Sequence, residues 1–164
     1  MLINKLLDLS KEVYSNLGGG NFDEKDYQKA LGFELLDNNI SYLREFHVEI
    51  FYKNHPIKLG APDFYLDQSD PKCFLELKLS SGLDDTNRHQ MYMYLKSVDK
   101  NNNKVLKEVK NGFLINFLKV EPLYQYSGKK PKGYNKIEIE HYKLNADSNL
   151  ELMQRIEDQV NFDD

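Results

Sequence analysis

The sequence predicts an α/β fold, a central mixed β-sheet of about five strands flanked by helices in the order ααβββαββα. Two spacings of apolar residues predict this fold. Apolar residues recur every three to four positions in some segments, as in helices, and every second position in others, as in strands. With 164 residues, 40% hydrophobic and 29% charged, the chain has the size and composition of a globular domain. We expect a single domain over residues 1–164, with a core at about 17–120 and an extension at about 121–164.

Helices are predicted in four segments. Residues 2–16 carry leucines at helical spacing, and Gly18 begins a run of three glycines that would end this helix. A second helix is expected from about 22 to 37 and a third from about 84 to 98. A closing helix is expected from 147 to 160.

Five segments predict strands, at about residues 46–52, 62–66, 72–80, 113–118 and 136–142. Short turns separate the first three, which predicts an antiparallel meander. The fourth is almost continuously apolar, as is typical of a strand covered on both faces. The fifth alternates between apolar and polar residues and is predicted to lie at an edge of the sheet.

Composition excludes several classes of protein. A net charge of −4 and a pI near 5.6 exclude a generally basic protein that coats nucleic acid. Cys73 is the only cysteine, so an internal disulfide and a thiolate zinc site are excluded. No apolar run approaches the ~20 residues that span a bilayer, and the first residues do not resemble a signal peptide. We therefore expect no membrane partner, no secretion, and a reducing cytoplasm, or the nucleus in a eukaryotic or viral setting.

The stretch from Gly60 to Lys78 carries the most chemical information. Asp63 follows Gly60-Ala61-Pro62, and Glu76 and Lys78 share one face of the next strand because side chains alternate along a strand. Asp63, on the neighbouring strand of the hairpin, can reach the same face. Two acids that converge in a partly buried site would favour Mg²⁺, which binds a few carboxylates and water. The alternative is a surface hairpin on which Glu76 and Lys78 are simply solvated.

Two helices contribute further candidates. Glu24 lies one turn before Gln28 at the border of a buried face, where a carboxylate usually has a partner. Its alternative is an exposed first-turn acid favoured by the helix dipole. Gln90 and Tyr94 are four residues apart and share a helix face. They could organise a site, or Tyr94 could pack in the core while Gln90 is exposed.

The motif Pro62-Asp63 followed by Glu76-Leu77-Lys78 resembles the signature of the PD-(D/E)XK nuclease superfamily. More narrowly, the chain resembles the GxxExxY group over about residues 17–118. The segments that carry this resemblance are, besides the signature itself, residues 24–31, 51–53, 90–96 and 114–117. The chain departs from the group in two respects, since Asn21 replaces the glycine that names it and an extended tail follows Leu118.

This resemblance implies a restriction-endonuclease-like fold and Mg²⁺-dependent hydrolysis of phosphodiester bonds, with Mn²⁺ as a substitute ion. It implies metal binding by Asp63, Glu76, the main-chain carbonyl of Leu77 and Glu24. Lys78 would orient the attacking water, and Gln90 and Tyr94 would support the catalytic residues. The implied partner is nucleic acid, with DNA expected, and the resemblance also allows a homodimer.

The role of a basic loop stays open, and so does the choice between a nuclease and two other classes of function. Lys129, Lys130, Lys132 and Tyr134 could bind phosphates and stack on bases, or could form a solvated loop. The main alternative to a nuclease is a catalytically inactive module of the same fold that binds nucleic acid or a protein. A third class is a structural domain whose carboxylates only form ion pairs with lysines.

Overall fold

The computed structural model describes residues 1–18, 22–44, 46–118 and 136–160. In these ranges the helices are α1 (Leu2–Leu17), α2 (Glu24–Asp37) and α3 (Asp85–Ser97). The strands are β1 (Val48–Tyr52), β2 (His55–Gly60), β3 (Phe64–Leu66), β4 (Cys73–Ser80), β5 (Asn111–Leu118), β6 (Lys136–Leu144) and β7 (Leu150–Gln159). Two short 3₁₀ turns, Val98–Lys100 and Lys104–Leu106, connect α3 to β5.

The main sheet has five strands in the order β3-β4-β5-β6-β7. β4 and β5 run parallel, and the other neighbouring strands are antiparallel. A parallel pair needs a crossover connection, and α3 supplies it between β4 and β5. The predicted α/β class with a mixed five-stranded sheet is therefore confirmed.

Two hydrophobic clusters cover the two faces of this sheet. On one face, α1 and α2 contribute apolar residues such as Leu6 and Leu31, which pack with Leu75 of β4 and Ile115 of β5. On the other face, α3 and β1 pack against Phe74, Leu114 and their neighbours. β5 is buried along almost its whole length, which confirms the prediction that it is covered on both faces.

The local sequence explains where the first two helices end or begin. Gly18 adopts φ 76° and ends α1, and its N–H donates to the carbonyl of Tyr14 at 2.8 Å. Only glycine takes this left-handed conformation without a steric penalty. Asp23 caps α2, because its side chain accepts from Asp26 N–H while the Asp26 carboxylate accepts from Asp23 N–H. In the described ranges, no helix is long and apolar enough to cross a membrane.

The predicted closing helix is wrong, because residues 150–159 form β7. Leu, Met, Gln, Arg and Glu favour a helix in isolation, which makes this segment misleading. Its pairing with β6 outweighs that preference, since Ile156 lies opposite Ile139 and Arg155 lies opposite Glu140. Arg155 also binds Glu138 at 3.1 Å, and cross-strand pairs of this kind cannot be read from β7 alone.

Two further predictions about strands need correction. Residues 55–60 form β2 and not a turn, and β1 pairs with β2 in a separate two-stranded sheet. The first three predicted strands therefore do not form one meander. β6 lies between β5 and β7, so it is not the edge strand. β7 occupies the edge instead, and its mostly exposed charged residues fit that position.

Candidate active site

Asp63 and Glu76 meet where β3 begins beside β4. Phe64 pairs with Leu75, so Asp63, one residue earlier, lies beside Glu76. Asp63 N–H donates to Glu76 Oε1 at 3.0 Å, and Leu77 N–H donates to Asp63 Oδ2 at 2.7 Å. These reciprocal bonds between side chain and main chain fix both carboxylates with respect to the strand pair.

Because Gly60 has no side chain, the chain segment that leads to Asp63 can lie against α3. A Cβ atom built on Gly60 would come within 2.5 Å of Cε1 in the Tyr94 ring. Any larger residue would therefore displace either the ring or the chain that leads to Asp63. The glycine noted in the sequence thus has a steric role in bringing the Asp63 bend next to the buried tyrosine.

Burial and mutual repulsion set the charge state of the acid pair. Glu76 is 3% exposed, and burial together with the charge of Asp63 raises its pKa to about 8. Burial raises the pKa of Asp63 to about 6, although the hydrogen bond from Leu77 opposes this shift. The negative charge of Glu24, the first residue of α2, also raises both pKa values. The structure therefore brings Glu24 close enough to act on the pair electrostatically.

Lys78 and α3 complete a continuous polar contact chain. Lys78 Nζ lies 3.8 Å from Glu76 Oε2 and 3.4 Å from Gln90 Oε1. Gln90 Nε2 in turn donates to Tyr94 Oη at 3.0 Å. Tyr94 is 4% exposed, and burial followed by the charge of Glu76 raises its pKa. Tyr94 packs in the core and its hydroxyl accepts from Gln90, which is half-buried.

The structure adds Arg44, which sequence reasoning missed. Its positive charge opposes the rise in the pKa of Asp63, its guanidinium lies 5.4 Å from the centre of the Phe64 ring, and Nη2 donates to Gln28 Oε1 at 3.3 Å. In the described part of the chain Arg44 forms no salt bridge. No local pattern identifies it, because only the tertiary fold brings residue 44 to residue 63.

A polar row crosses the sheet next to Lys78. Asn116 of β5 lies beside Lys78 in register and is fully buried. Its side-chain oxygen accepts from Ser80 N–H, and its side-chain nitrogen donates to the Ser80 carbonyl. The same nitrogen donates to Glu138 Oε1 at 3.2 Å. One signal could have found it, since Asn116 is the polar residue inside the apolar run of residues 113–118.

The row ends in an ion-pair network around the buried Glu140, and this network reaches α3. Glu140 is 3% exposed, and Arg88 of α3 binds it with two nitrogens, Nε at 2.9 Å and Nη2 at 3.1 Å. Tyr142 Oη donates to the same carboxylate at 2.7 Å. Burial alone would raise the pKa of Glu140, but these donors and Arg155 hold it below its usual value. The network therefore connects the helix that carries Gln90 to the β6–β7 hairpin.

The donor set suits a hard divalent cation that keeps several water ligands. In the described ranges no three His, Cys, Asp or Glu side chains are close enough to hold a metal ion by themselves. The half-buried Asp63 and the buried Glu76 nevertheless lie side by side, and a cation would offset their like charges. Mg²⁺ commonly binds through one or two carboxylates plus water and substrate phosphate. The basic loop of Lys129, Lys130, Lys132 and Tyr134 lies outside the described residues.

Comparison with known proteins assigns the chain to a family. A family model of the PD-(D/E)XK nuclease superfamily matches residues 1–126, which is more than half of the chain. Neither the curated proteins nor the solved structures gave a significant match. The matched range includes Asp63, Glu76 and Lys78, together with the helix that carries Gln90 and Tyr94. This chain belongs to the PD-(D/E)XK nuclease superfamily.

Proposed function

We propose that this protein hydrolyses phosphodiester bonds in nucleic acid, with DNA as the expected substrate and Mg²⁺ or Mn²⁺ as the cofactor. The observation that carries the proposal is the carboxylate pair of Asp63, half-buried, and Glu76, buried, with the Lys78 ammonium 3.8 Å from Glu76 Oε2. Two acids and a lysine gathered in a partly buried place cost free energy, and groups with perturbed pKa values of this kind cluster at functional sites. Membership in a nuclease superfamily supports the same reaction class. The motif order from Glu24 to Asn116 supports placing the chain in the GxxExxY group.

Asp63 and Glu76 would hold the divalent cation. The Leu77 carbonyl is a suitable third ligand, because the N–H and C=O of a strand residue point to the same side and Leu77 N–H already faces Asp63. Glu24 lies near enough to influence both acids and would complete the set, directly or through water. The bound ion would lower the pKa of a water molecule and offset charge on the phosphate.

Lys78 would act on the reacting phosphate. Its side chain is 20% exposed, so the ammonium is largely shielded but still open to a substrate. In this position it can orient the attacking water and stabilise the negative charge that develops on the phosphate oxygens. Gln90 would keep the ammonium in place, since its amide oxygen accepts from Nζ while its amide nitrogen is bound to Tyr94.

A catalytically inactive nucleic-acid-binding module is the second candidate. It is favoured by the small number of possible metal ligands, since in the described ranges no group of three His, Cys, Asp or Glu side chains could hold a metal ion. Such a module would bind nucleic acid through the same surface without a metal-dependent reaction. The two candidates differ in one observable, which is the appearance of product.

The test is a cleavage assay on labelled single-stranded and duplex oligonucleotides with Mg²⁺, Mn²⁺ or EDTA. We expect metal-dependent cleavage by the wild type, a loss of about 10²-fold or more in Lys78→Ala, and an unchanged rate in Lys72→Ala. Lys72 is the matched control, because it is an exposed lysine just before the same strand. Equal rates for Lys78→Ala and the wild type would contradict the mechanism, and binding without any product would favour the inactive module.

A further inference from the structure

A groove lies between the end of the β1–β2 hairpin and the C-terminal end of α3. Its volume is about 250 Å³, and Lys53, Lys96 and Lys100 line it together with Tyr52 and Met93. Tyr52 is 60% exposed, so its ring is available to a ligand. The groove is separate from Asp63, Glu76 and Lys78, none of which lines it.

The groove is positively charged although the protein is acidic overall. None of its lining residues is acidic, and its three lysines form no salt bridge with any residue in the described ranges. Lys53 Nζ lies 5.5 Å from the centre of the Tyr52 ring, and Lys96 Nζ lies 5.5 Å from that of Tyr92. Lys100 Nζ donates to the Lys53 carbonyl. Three cations that form no salt bridge with the described residues repel one another, and a polyanion would relieve that repulsion.

Buried polar side chains fix the two walls of the groove to each other. Ser97, 2% exposed, accepts from Phe51 N–H through its hydroxyl at 3.3 Å. Asn101, 8% exposed, accepts from Glu49 N–H at 2.9 Å and donates to the Glu49 carbonyl at 3.1 Å. The main chain of β1 is thus held against the end of α3. The positions of the groove lysines therefore depend on these contacts between β1 and the end of α3, and not on the β1–β2 hairpin alone.

The same two elements lead directly to the candidate active site. The β1–β2 hairpin continues through Gly60 to Asp63, and α3 carries Gln90 and Tyr94. From Tyr94 to Lys100 the chain rises roughly 10 Å along the helix axis. A polymer bound at Asp63 can therefore reach the groove within a few nucleotides.

We infer that this groove binds an unpaired strand of the nucleic acid that is cleaved at Asp63 and Glu76. Lys96 and Lys100 contact its phosphates, and Tyr52 stacks on a base. A volume of about 250 Å³ is below the ~300–1,000 Å³ of small-molecule pockets and is too small for a double helix. The inference rests on the proposed function and specifies its substrate as nucleic acid with a single-stranded segment next to the cleaved bond.

The test is fluorescence anisotropy with a labelled 12-nucleotide single strand and the matching duplex, in metal-free buffer so that no cleavage occurs. We expect Lys96→Gln/Lys100→Gln to weaken single-strand binding at least tenfold. It should also reduce the slope of log affinity against log salt by about 1.4, because two phosphate contacts are lost. Tyr52→Ala should weaken binding about tenfold without changing that slope.

Two exposed residues of α2 provide matched controls. Lys29→Gln removes an exposed lysine and Phe33→Ala removes an aromatic side chain that is 67% exposed, and both should bind the strand as the wild type does. The inference is overturned if the groove variants bind the single strand as tightly as these controls, which would leave the groove to a protein partner. It is also overturned if the wild type binds only duplex or no nucleic acid.

The outcomes separate this inference from the proposed function. If cleavage depends on Lys78 but is unchanged in the groove variants, the proposed nuclease function stands and the inference about the groove is wrong. If single-strand binding depends on the groove lysines but the wild type yields no product with any metal, the proposed nuclease function is wrong and the groove remains a strand-binding site.

Discussion

Asp63 and Glu76 are held together through the main chain although their like charges repel. The N–H of Asp63 donates to Glu76 Oε1 at 3.0 Å, so the position of one acid's backbone is set by the side chain of the other. Leu77 N–H completes the arrangement by donating to Asp63 Oδ2 at 2.7 Å. Each carboxylate keeps one oxygen outside these two bonds, and we expect Asp63 Oδ1 and Glu76 Oε2 to be the oxygens that bind a cation.

The acid pair should make the metal-free protein less stable at high pH. Both folded-state pKa values are raised, Asp63 from 3.8 to about 6 and Glu76 from 4.5 to about 8. The folded state therefore holds more protons than the unfolded state between about pH 4 and 8, and stability falls as pH rises through that window. Asp63→Asn should raise the free energy of unfolding at pH 8 on the order of 2 kcal/mol.

Denaturant unfolding in EDTA at pH 5 and pH 8 measures this effect. Asp147→Asn is the control, because Asp147 is an exposed acid outside the site and should not change the pH dependence. A wild type that gains stability from pH 5 to pH 8, with Asp63→Asn following the same curve, would show that the pair is not buried as described.

Gln90 should matter for turnover more than for substrate binding. Gln90→Ala removes the acceptor for Lys78 Nζ and the donor to Tyr94 Oη, so the ammonium loses its fixed position. We expect kcat to fall about tenfold or more with little change in KM, as is typical of residues that orient catalytic groups. Steady-state cleavage kinetics measure both constants. His89→Ala is the control, since His89 is the exposed neighbour on α3, and equal kcat values in the two variants would contradict the assigned role.

Gly60 should tolerate no side chain. A Cβ atom at this position would lie 2.5 Å from Cε1 of the Tyr94 ring, and Tyr94 is buried. Gly60→Ala should cost about 1–3 kcal/mol of stability, as overpacking does, and should reduce cleavage because Asp63 is three residues away. Gly82→Ala meets no atom within 4 Å and serves as the control in the same unfolding and cleavage assays. If the two variants were equally stable, the close contact would be in error.

Arg88 should stabilise the contact between α3 and the β6–β7 hairpin. Arg88→Ala leaves the buried Glu140 carboxylate with Arg155, 3.6 Å away, and Tyr142. We expect a loss of about 3 kcal/mol, which thermal or denaturant unfolding would measure. Asp85→Ala removes the second carboxylate that Arg88 binds, but that carboxylate is 99% exposed and its loss should change little. Equal stability of Arg88→Ala and Asp85→Ala would show that the network carries no stabilising energy.

The sequence predicted the local features of this protein better than its long-range pairings. Alternation along β4 was enough to place Glu76 and Lys78 on one face, and the i to i+4 spacing was enough to place Gln90 next to Tyr94. The fold class followed from the same periodicities. Contacts between neighbours at fixed spacing are dictated by strand and helix geometry, so they can be read from the sequence.

Features that depend on distant segments were missed for the same physical reason. β7 was predicted as a helix because its stabilising partners, among them Glu138 and Glu140, lie on another strand. The charge of Arg44 opposes the rise in the pKa of Asp63, and no spacing rule relates these two residues. The lysine groove likewise combines β1 with the end of α3, which are some forty residues apart along the chain.

The central claim is that Asp63 and Glu76 together bind a divalent cation, and isothermal titration of Mn²⁺ at pH 7 tests it most directly. In the wild type we expect one saturable site, with protons released on binding because burial keeps Glu76 largely protonated at this pH. Titrations in buffers of different ionisation enthalpy would measure that release. Asp63→Asn should lose both the saturable heat and the proton release. Identical titration curves for the wild type and Asp63→Asn would contradict the account.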